Sequence, residues 1–431
     1  MERKKRRAFF IVVTAVLVLL LVEGIGRLGY RLATGEPYAR AALVEQRRSL
    51  LKTAAVPLGQ AVTETGRRRV PHPFLGSVLR PDPQASVIVD RYRAVAGEDG
   101  FYHLLAGEAP TEGHAVVAMF GGSVATVASF ASREALSRRL EPLLGRPLAF
   151  RSRALGAYKQ PQQLLTLTYF LSLGESYDIV LNLDGVNEAI LPMLHHRRNG
   201  VFPFYPQDWP TQMEAIDDPA RRLRLGELVV VEGERRHRAE LFEIRPLSAF
   251  APWNLLWRVL DDRSRMRLAE IQGELADLDA HKRPYRSHGP PWQYAGENRV
   301  LAALARQWAT ASLQMHRLCA ANGIRYIHFL QPNQYVPGSK PLHPEEERLG
   351  VTSRAAYERL IGEAWPLFQQ EGEALRQQGV EFVDLTMLFA DTREPVYRDD
   401  CCHMNPRGHE ILAEAMAEAV AATTPPARSV P

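Results

Sequence analysis

The sequence predicts an α/β fold, a three-layer arrangement of a parallel sheet of about five strands with helices on both faces. Three observations predict it. Short, nearly continuous apolar runs at 115–120, 179–183, 324–330 and 380–385, with another beginning at 147–150, have the length and composition of strands buried on both faces. The stretches between them carry apolar residues at helical spacing, and strands separated by helices imply right-handed crossovers into a parallel sheet. The runs at 115–120, 179–183 and 324–330 end in the polar turns Gly121-Gly122-Ser123, Asp184-Gly185-Val186-Asn187 and Gln331-Pro332. In such sheets ligands sit outside the carboxyl ends of the strands, which is where those turns fall.

Taken in order, the chain opens on a basic cluster, Arg3 to Arg7, followed by the uncharged run Ala8–Val22. This is a positive n-region before an apolar h-region. The run is short beside the roughly 17–25 residues of a full span, but Gly24, Ile25 and Gly26 extend it if Glu23 and Arg27 snorkel. No small-x-small cleavage signal follows at once, so residues 1–28 read as an uncleaved signal anchor, a transmembrane helix; a removed signal peptide and a buried soluble helix are the alternatives. The positive-inside rule puts the N-terminus inside and the main domain in the periplasm or outside the cell. Residues 29–113 read as a stalk with helical spacing as far as Arg69. A Pro-broken stretch then leads to short edge elements at 86–89 and 100–102.

The sheet domain is expected over 114–190 and 295–423. Its helices fall at 132–144 (Pro142 ending it early), 162–173, 295–321, 353–377 and 406–422. Residues 191–294 interrupt it as a helical insertion, with helices over 217–242 and 253–279, forming a cap beside the site or an oligomer contact. The charge run of these helices reads as a solvated face.

Composition narrows the function. Of 431 residues, 46% are hydrophobic and 24% charged, which is ordinary for globular chains. The formal net charge of +4 is accounted for by residues 2–7, leaving the remainder neutral, so no basic field suggests a nucleic-acid partner. The three cysteines are Cys319, Cys401 and Cys402. Cys319 is expected at the opposite sheet edge from the other two, too far to bridge. Cys401 and Cys402 form either a vicinal disulfide or two buried thiols. Adjacent cysteines lack zinc-site spacing, and no metal or other cofactor is expected.

The candidate chemistry lies in three separated segments. Ser123 follows a strand and a glycine pair at a helix start, where free N–H groups favour developing negative charge; the same pattern also suits a plain helix N-cap. His403, in Asp400-Cys401-Cys402-His403-Met404-Asn405-Pro406, is a base suited to activating a serine. Asp400, three residues before it, is the candidate for orienting the imidazole. Asp399 is its neighbour without that spacing. Asn187 offers a side-chain amide to an oxyanion, or is simply a turn asparagine. Asp184 and Glu188 flank it as loop or supporting groups. His328 and His409 read as structural.

Together these segments resemble the SGNH (GDSL-type) hydrolase family, whose fold is flavodoxin-like. The resemblance covers roughly 114–190 and 322–422. Gly121-Gly122-Ser123-Val124 matches its nucleophile motif with Gly in place of Asp, Gly185-Val186-Asn187-Glu188 its third motif, and Asp400 to His403 its fourth. The second motif, which supplies a glycine N–H, falls in Leu155-Gly156-Ala157-Tyr158 without the usual Asn; Gly156 is the choice, and the Ala157 amide would serve equally. The resemblance implies a Ser123–His403–Asp400 triad and an oxyanion hole of Ser123, Gly156 and Asn187. The α/β-hydrolase elbow, faintly echoed by Gly121 to Ala125, fits less well because the acid lies so near the base.

The expected activity is ester hydrolysis by a membrane-tethered extracytoplasmic enzyme, with an acylated saccharide or other ester as substrate, O-acyl groups of cell-envelope or exported polysaccharide above all. An O-acyltransferase with the same site and a catalytically silent binding scaffold are the alternatives. Phe204, Tyr205 and Trp209, with Phe202, could stack on sugar rings or anchor the insertion's core.

Overall fold

The computed structural model describes residues 2–52, 69–105, 112–197, 201–207, 209, 219–281, 294, 296–349 and 354–424. The chain divides into two compact units: residues 1–67 with 213–284, and residues 68–212 with 285–431.

The first unit begins with helix α1 (Glu2–Thr34) and helix α2 (Arg40–Lys52). The second starts with five short strands, β1 (Arg69–His72), β2 (Gly76–Leu79), β3 (Asp82–Val89), β4 (Tyr92–Ala96) and β5 (Tyr102–Leu104). β1 and β2 form an antiparallel hairpin; β3, β4 and β5 form a small antiparallel sheet. The alternating part then runs β6 (Ala115–Gly121), α3 (Ser123–Ala131), α4 (Arg133–Leu144), β7 (Leu148–Ala154), α5 (Gln162–Ser172), β8 (Ile179–Asp184) and α6 (Val186–Leu191). The insertion supplies α7 (Pro219–Phe242) and α8 (Ala251–His281). The alternation resumes with α9 (Glu297–Ala321), β9 (Arg325–Leu330), α10 (Pro344–Glu347), α11 (Arg354–Gln377), β10 (Glu381–Asp384) and α12 (Pro406–Ala422).

The main sheet is wholly parallel with strand order β10-β9-β8-β6-β7. The chain moves outward from β6 to the edge strand β7, then returns past β6 to β8. The direction of winding therefore reverses between β6 and β8, and the carboxyl ends of those two strands frame a crevice. Every residue of β6 and β8 is buried, as a two-sided parallel strand requires. The expected strands and helices lie within a few residues of those observed. Pro142 does not end its helix early: α4 runs on to Leu144 and stops at Gly145 in the left-handed region, φ 66°.

Beneath the crevice lies a buried polar chain. Asp184 Oδ1 accepts from Trp308 Nε1 at 2.7 Å and lies 2.8 Å from His328 Nε2, and Ser312 Oγ is 2.7 Å from His328 Nδ1. His328 is structural here: it is fully buried and spoken for on both ring nitrogens.

In the first unit the insertion helices α7 and α8 pack with the N-terminal helices α1 and α2. A Cβ on Gly26 would stand 2.5 Å from Pro252, and one on Gly29 3.1 Å from Leu255. Glu23 accepts the Ala251 N–H at 2.7 Å, serving a free donor at the start of α8. Tyr30, Leu43, Phe242 and Trp257 share a small core. The stretch Phe9–Thr34 of α1 is long and apolar enough to cross a membrane, and its early side chains are exposed all round.

Gly121 leaves β6 at φ 142°, where a Cβ would stand 2.1 Å from the Leu183 carbonyl oxygen. Strain and overpacking act together there, so Gly121→Ala is expected to cost on the order of 3 kcal/mol in denaturant unfolding. Gly273→Ala, in open space within α8, is expected to leave stability unchanged or raise it by about 1 kcal/mol.

Candidate active site

The Gly121-Gly122 pair brings the first functional groups together. Gly121 lets the end of β6 close onto the Leu183 backbone, as described above. At Gly122 a Cβ would stand 2.3 Å from Asn187 Nδ2. The lack of side chains at both positions therefore lets the Asn187 amide approach the turn that carries Ser123. Ser123 itself is the first residue of α3, so its N–H lies among the unpaired donors of that helix start. Asn187 lies in the first turn of α6, and its amide donates to the Tyr158 carbonyl at 2.8 Å.

His403 reaches the same place from the other end of the chain. Its Nε2 lies 2.7 Å from Ser123 Oγ. Its loop is pinned at the base by an antiparallel bridge between Tyr397 and Met404, and by the Asn405 side chain, which accepts the Gly408 N–H at 2.9 Å and caps α12. Glu346 supports that loop from below, accepting the Val396 and Tyr397 N–H groups at 2.8 and 2.9 Å with Lys340 Nζ 3.2 Å away. Burial raises the Glu346 carboxyl, but the backbone N–H groups of His343, Tyr397 and Val396 and the Lys340 ammonium outweigh it and hold it below its ordinary value.

The acid paired with the imidazole is Asp399, and the expected Asp400 is corrected accordingly. Asp399 Oδ2 lies 2.5 Å from His403 Nδ1. Its Oδ1 accepts the backbone N–H groups of Cys401, Cys402 and His403 at 3.0, 3.2 and 3.1 Å. One carboxylate thus folds the turn with one oxygen and faces the ring with the other. That turn fixes the acid four residues before the histidine. Asp400 instead presents its backbone carbonyl to the Tyr335 hydroxyl. Burial pushes the Asp399 carboxyl up, yet the His403 hydrogen bond and charge and the backbone donors bring it below the usual carboxylate range.

Gly156 lies in a turn closed by the Tyr158 N–H on the Leu155 carbonyl at 3.0 Å, and a Cβ on it would stand 3.8 Å from Ser123 Cβ. Its carbonyl accepts from the Arg69 guanidinium. Arg69 has no sequence signal: it sits at the end of a run of three arginines before a Pro-broken stretch. Ala157 adopts φ 60° in the same turn. Glu188 ties this turn to the Asn187 segment, accepting the Gln160 N–H with one oxygen and the Gly185 N–H with the other, both at 2.9 Å. Burial and the Asp184 carboxylate raise Glu188 to about 8. Ser123, Gly156, Ala157, Asn187 and His403 keep partial exposure above this buried floor.

Phe204, Tyr205 and Trp209 gather with Phe202 in a ring cluster with centroids 5.2 to 5.9 Å apart, Phe202 meeting Phe204 and Tyr205 edge to face and Trp209 tilted against Tyr205. They line a cavity of about 380 Å³ that does not include Ser123 or His403. Lys159, fully buried, joins the two regions by donating to the Pro203 and Tyr205 carbonyls at 2.8 and 2.6 Å; burial lowers it to about 7. Cys401 and Cys402 Sγ lie 3.4 Å apart as two thiols.

No protein-family model matches the sequence, and no curated protein matches it significantly. Solved structures that are similar in part include the following three. One is a Bacteroides fragilis protein described as an acylhydrolase, at 10% identity and TM-score 0.34, the match covering 73% of this chain and 90% of that one. A GDSL-like lipase of Bacteroides thetaiotaomicron shares 11% identity at TM-score 0.31, over 72% and 90% of the two chains. A single-site mutant of a Geobacillus acetyl-xylooligosaccharide esterase shares 10% identity at TM-score 0.31, over 72% and 96%. At these identities and scores the chemistry of the site is read from its own geometry.

Labelling of Ser123 by a fluorophosphonate reads how strongly the imidazole activates it. Asp399→Asn is expected to slow labelling by on the order of 10²-fold or more. Asp400→Asn is expected to stay within a few-fold of wild type, and the reverse ranking would restore Asp400 as the orienting acid.

Proposed function

We propose that this chain is a membrane-tethered, extracytoplasmic serine ester hydrolase acting on O-acyl groups, those of cell-envelope or exported polysaccharide above all. The observation that carries the reading is the continuous relay from Ser123 Oγ to His403 to Asp399, assembled at a sheet crevice from residues far apart in sequence.

His403 Nε2 takes the Ser123 hydroxyl proton as Oγ attacks the ester carbonyl. Asp399 holds Nδ1–H and stabilises the imidazolium. The oxyanion draws on the Ser123 N–H, the Gly156 N–H and the Asn187 amide, and losing one such donor costs about 3 kcal/mol of transition-state stabilisation. Collapse of the tetrahedral species expels the alcohol, which leaves with the proton from His403, and Ser123 is acylated. Water deprotonated by His403 then attacks the acyl carbon, releasing the carboxylic acid and restoring Ser123. A sugar hydroxyl in place of water would give transfer. The length and apolarity of Phe9–Thr34, with the preceding basic cluster, support the tether and the external main domain.

Hydrolysis of p-nitrophenyl acetate should fall by a factor on the order of 10³ or more in Ser123→Ala. Equal rates would leave a binding scaffold. Mass spectrometry should show acyl-Ser123 in the wild type, and adding oligosaccharide should leave free acid as the main product; acylated sugar as the main product would make the enzyme a transferase.

Membrane placement has its own test. In spheroplasts of a bacterium expressing the full chain, protease added from outside should digest the sheet unit. Protection until detergent is added would overturn the external placement.

A further inference from the structure

The helix pair α7–α8 meets α1 at a fixed height. Glu23 accepts the Ala251 N–H with one oxygen at 2.7 Å and the Arg27 guanidinium with the other at 2.9 Å. From there α8 runs alongside α1 in the same direction, with Gly26 against Pro252 and Gly29 against Leu255. α7 lies antiparallel to α8, tied to it by Arg235 on Asp261 and Arg267 on Glu227. It ends at Phe242, whose ring stacks on Trp253. The turn joining the two helices is therefore level with Glu23.

That height falls inside the edge of a bilayer spanned by α1. A span needs about 20 residues, and counted from Ala8 that length is reached only at Arg27. At 1.5 Å per residue Glu23 stands about 6 Å short of it, so side chains exposed beside Glu23 would meet acyl chains rather than water. The turn has the matching composition. It reads Ile244-Arg245-Pro246-Leu247-Ser248-Ala249-Phe250, without an acid. Leu241, Ile244 and Leu247 are 43, 50 and 42% exposed.

We propose that the α7–α8 turn is a second membrane contact, in which Leu241, Ile244 and Leu247 enter the leaflet through which α1 emerges.

Apolar side chains ringed by arginine suit the boundary between acyl chains and headgroups. Arg245 is exposed between Ile244 and Leu247, and Arg40, also exposed, donates to the Ser248 carbonyl at 3.2 Å, so both guanidinium groups stand where lipid phosphates would lie. Of the nearby acids, Glu243 is paired with Arg47 at 2.6 Å, and Glu240 lies a turn back beside His237. A second copy of the chain would have to bring an apolar face to this same depth, whereas the bilayer is already there around α1. The inference rests on the tether reading of α1 and adds what a lone span lacks, a side contact that fixes which face of the first unit lies against the membrane.

The test is photo-crosslinking of the full chain in vesicles of phosphatidylcholine and phosphatidylglycerol whose acyl chains carry an alkyne tag. The photoreactive residue p-benzoylphenylalanine is placed singly at Val16, Ile244, Leu247 or Met266, all exposed positions, and melting curves check that each variant is folded. Met266 is the control, about 22 Å further along α8 than Ala251. Lipid adducts are expected at Val16, Ile244 and Leu247, each at least tenfold above Met266. Adducts at Val16, with Ile244 and Leu247 no higher than Met266, would overturn the second contact and leave the tether standing. Protein dimers at Ile244 in place of lipid adducts would overturn it in favour of a second copy. No adduct at any position, Val16 included, would overturn the tether and this contact with it.

Discussion

Everything at the crevice depends on two backbones coming closer than side chains allow. The end of β6 meets the end of β8 at Gly121, and the next residue, Gly122, yields its side-chain space to the Asn187 amide. Ser123 is held where it is because that contact fixes the turn into α3. The parallel pairing of β6 with β8 sets the register, with Gly121 opposite Leu183. A topological reversal therefore becomes a chemical site through the absence of two Cβ atoms, and the serine and the amide are positioned by the same close approach.

The second half of the site is held by a different device. The His403 loop has no regular structure, and its shape comes from carboxylates accepting backbone N–H groups. Asp399 takes three from its own turn, and Glu346 takes two from Val396 and Tyr397. Glu188 does the same between the Gln160 and Gly185 segments. Backbone donors that a loop would otherwise leave unsatisfied are thus matched by acids placed for the purpose. In the resulting arrangement the His403 imidazole lies against the Ser123 hydroxyl while both residues keep partial exposure.

Sequence reading reached the elements whose physics is local. Four of the five strands were legible as short apolar runs, three of them closed by a turn signal, while β7 showed only its start because Arg151, Ser152 and Arg153 break the run; α12 was legible because Asn405-Pro406 is a helix start. Ser123, Asn187 and His403 were legible because each stands next to a strand end or helix start. The choice between Asp399 and Asp400 was not, since it turns on which carboxylate folds a turn around three amides, a one-residue difference without a composition signal. Arg69 and the β1–β2 hairpin were hidden for another reason: short polar strands interrupted by Pro71 and Pro73 carry no clear alternation. The partnership of α8 with α1 is long-range, and amphipathic spacing names an apolar face without naming what covers it.

That partnership bears on how the N-terminal segment is kept. Glu23 serves the first amide of α8, Gly26 admits Pro252, and Tyr30 stands in one small core with Trp257. Loss of this helix would take one face of the insertion with it, baring Pro252 and Leu255 and leaving the Ala251 amide without its acceptor.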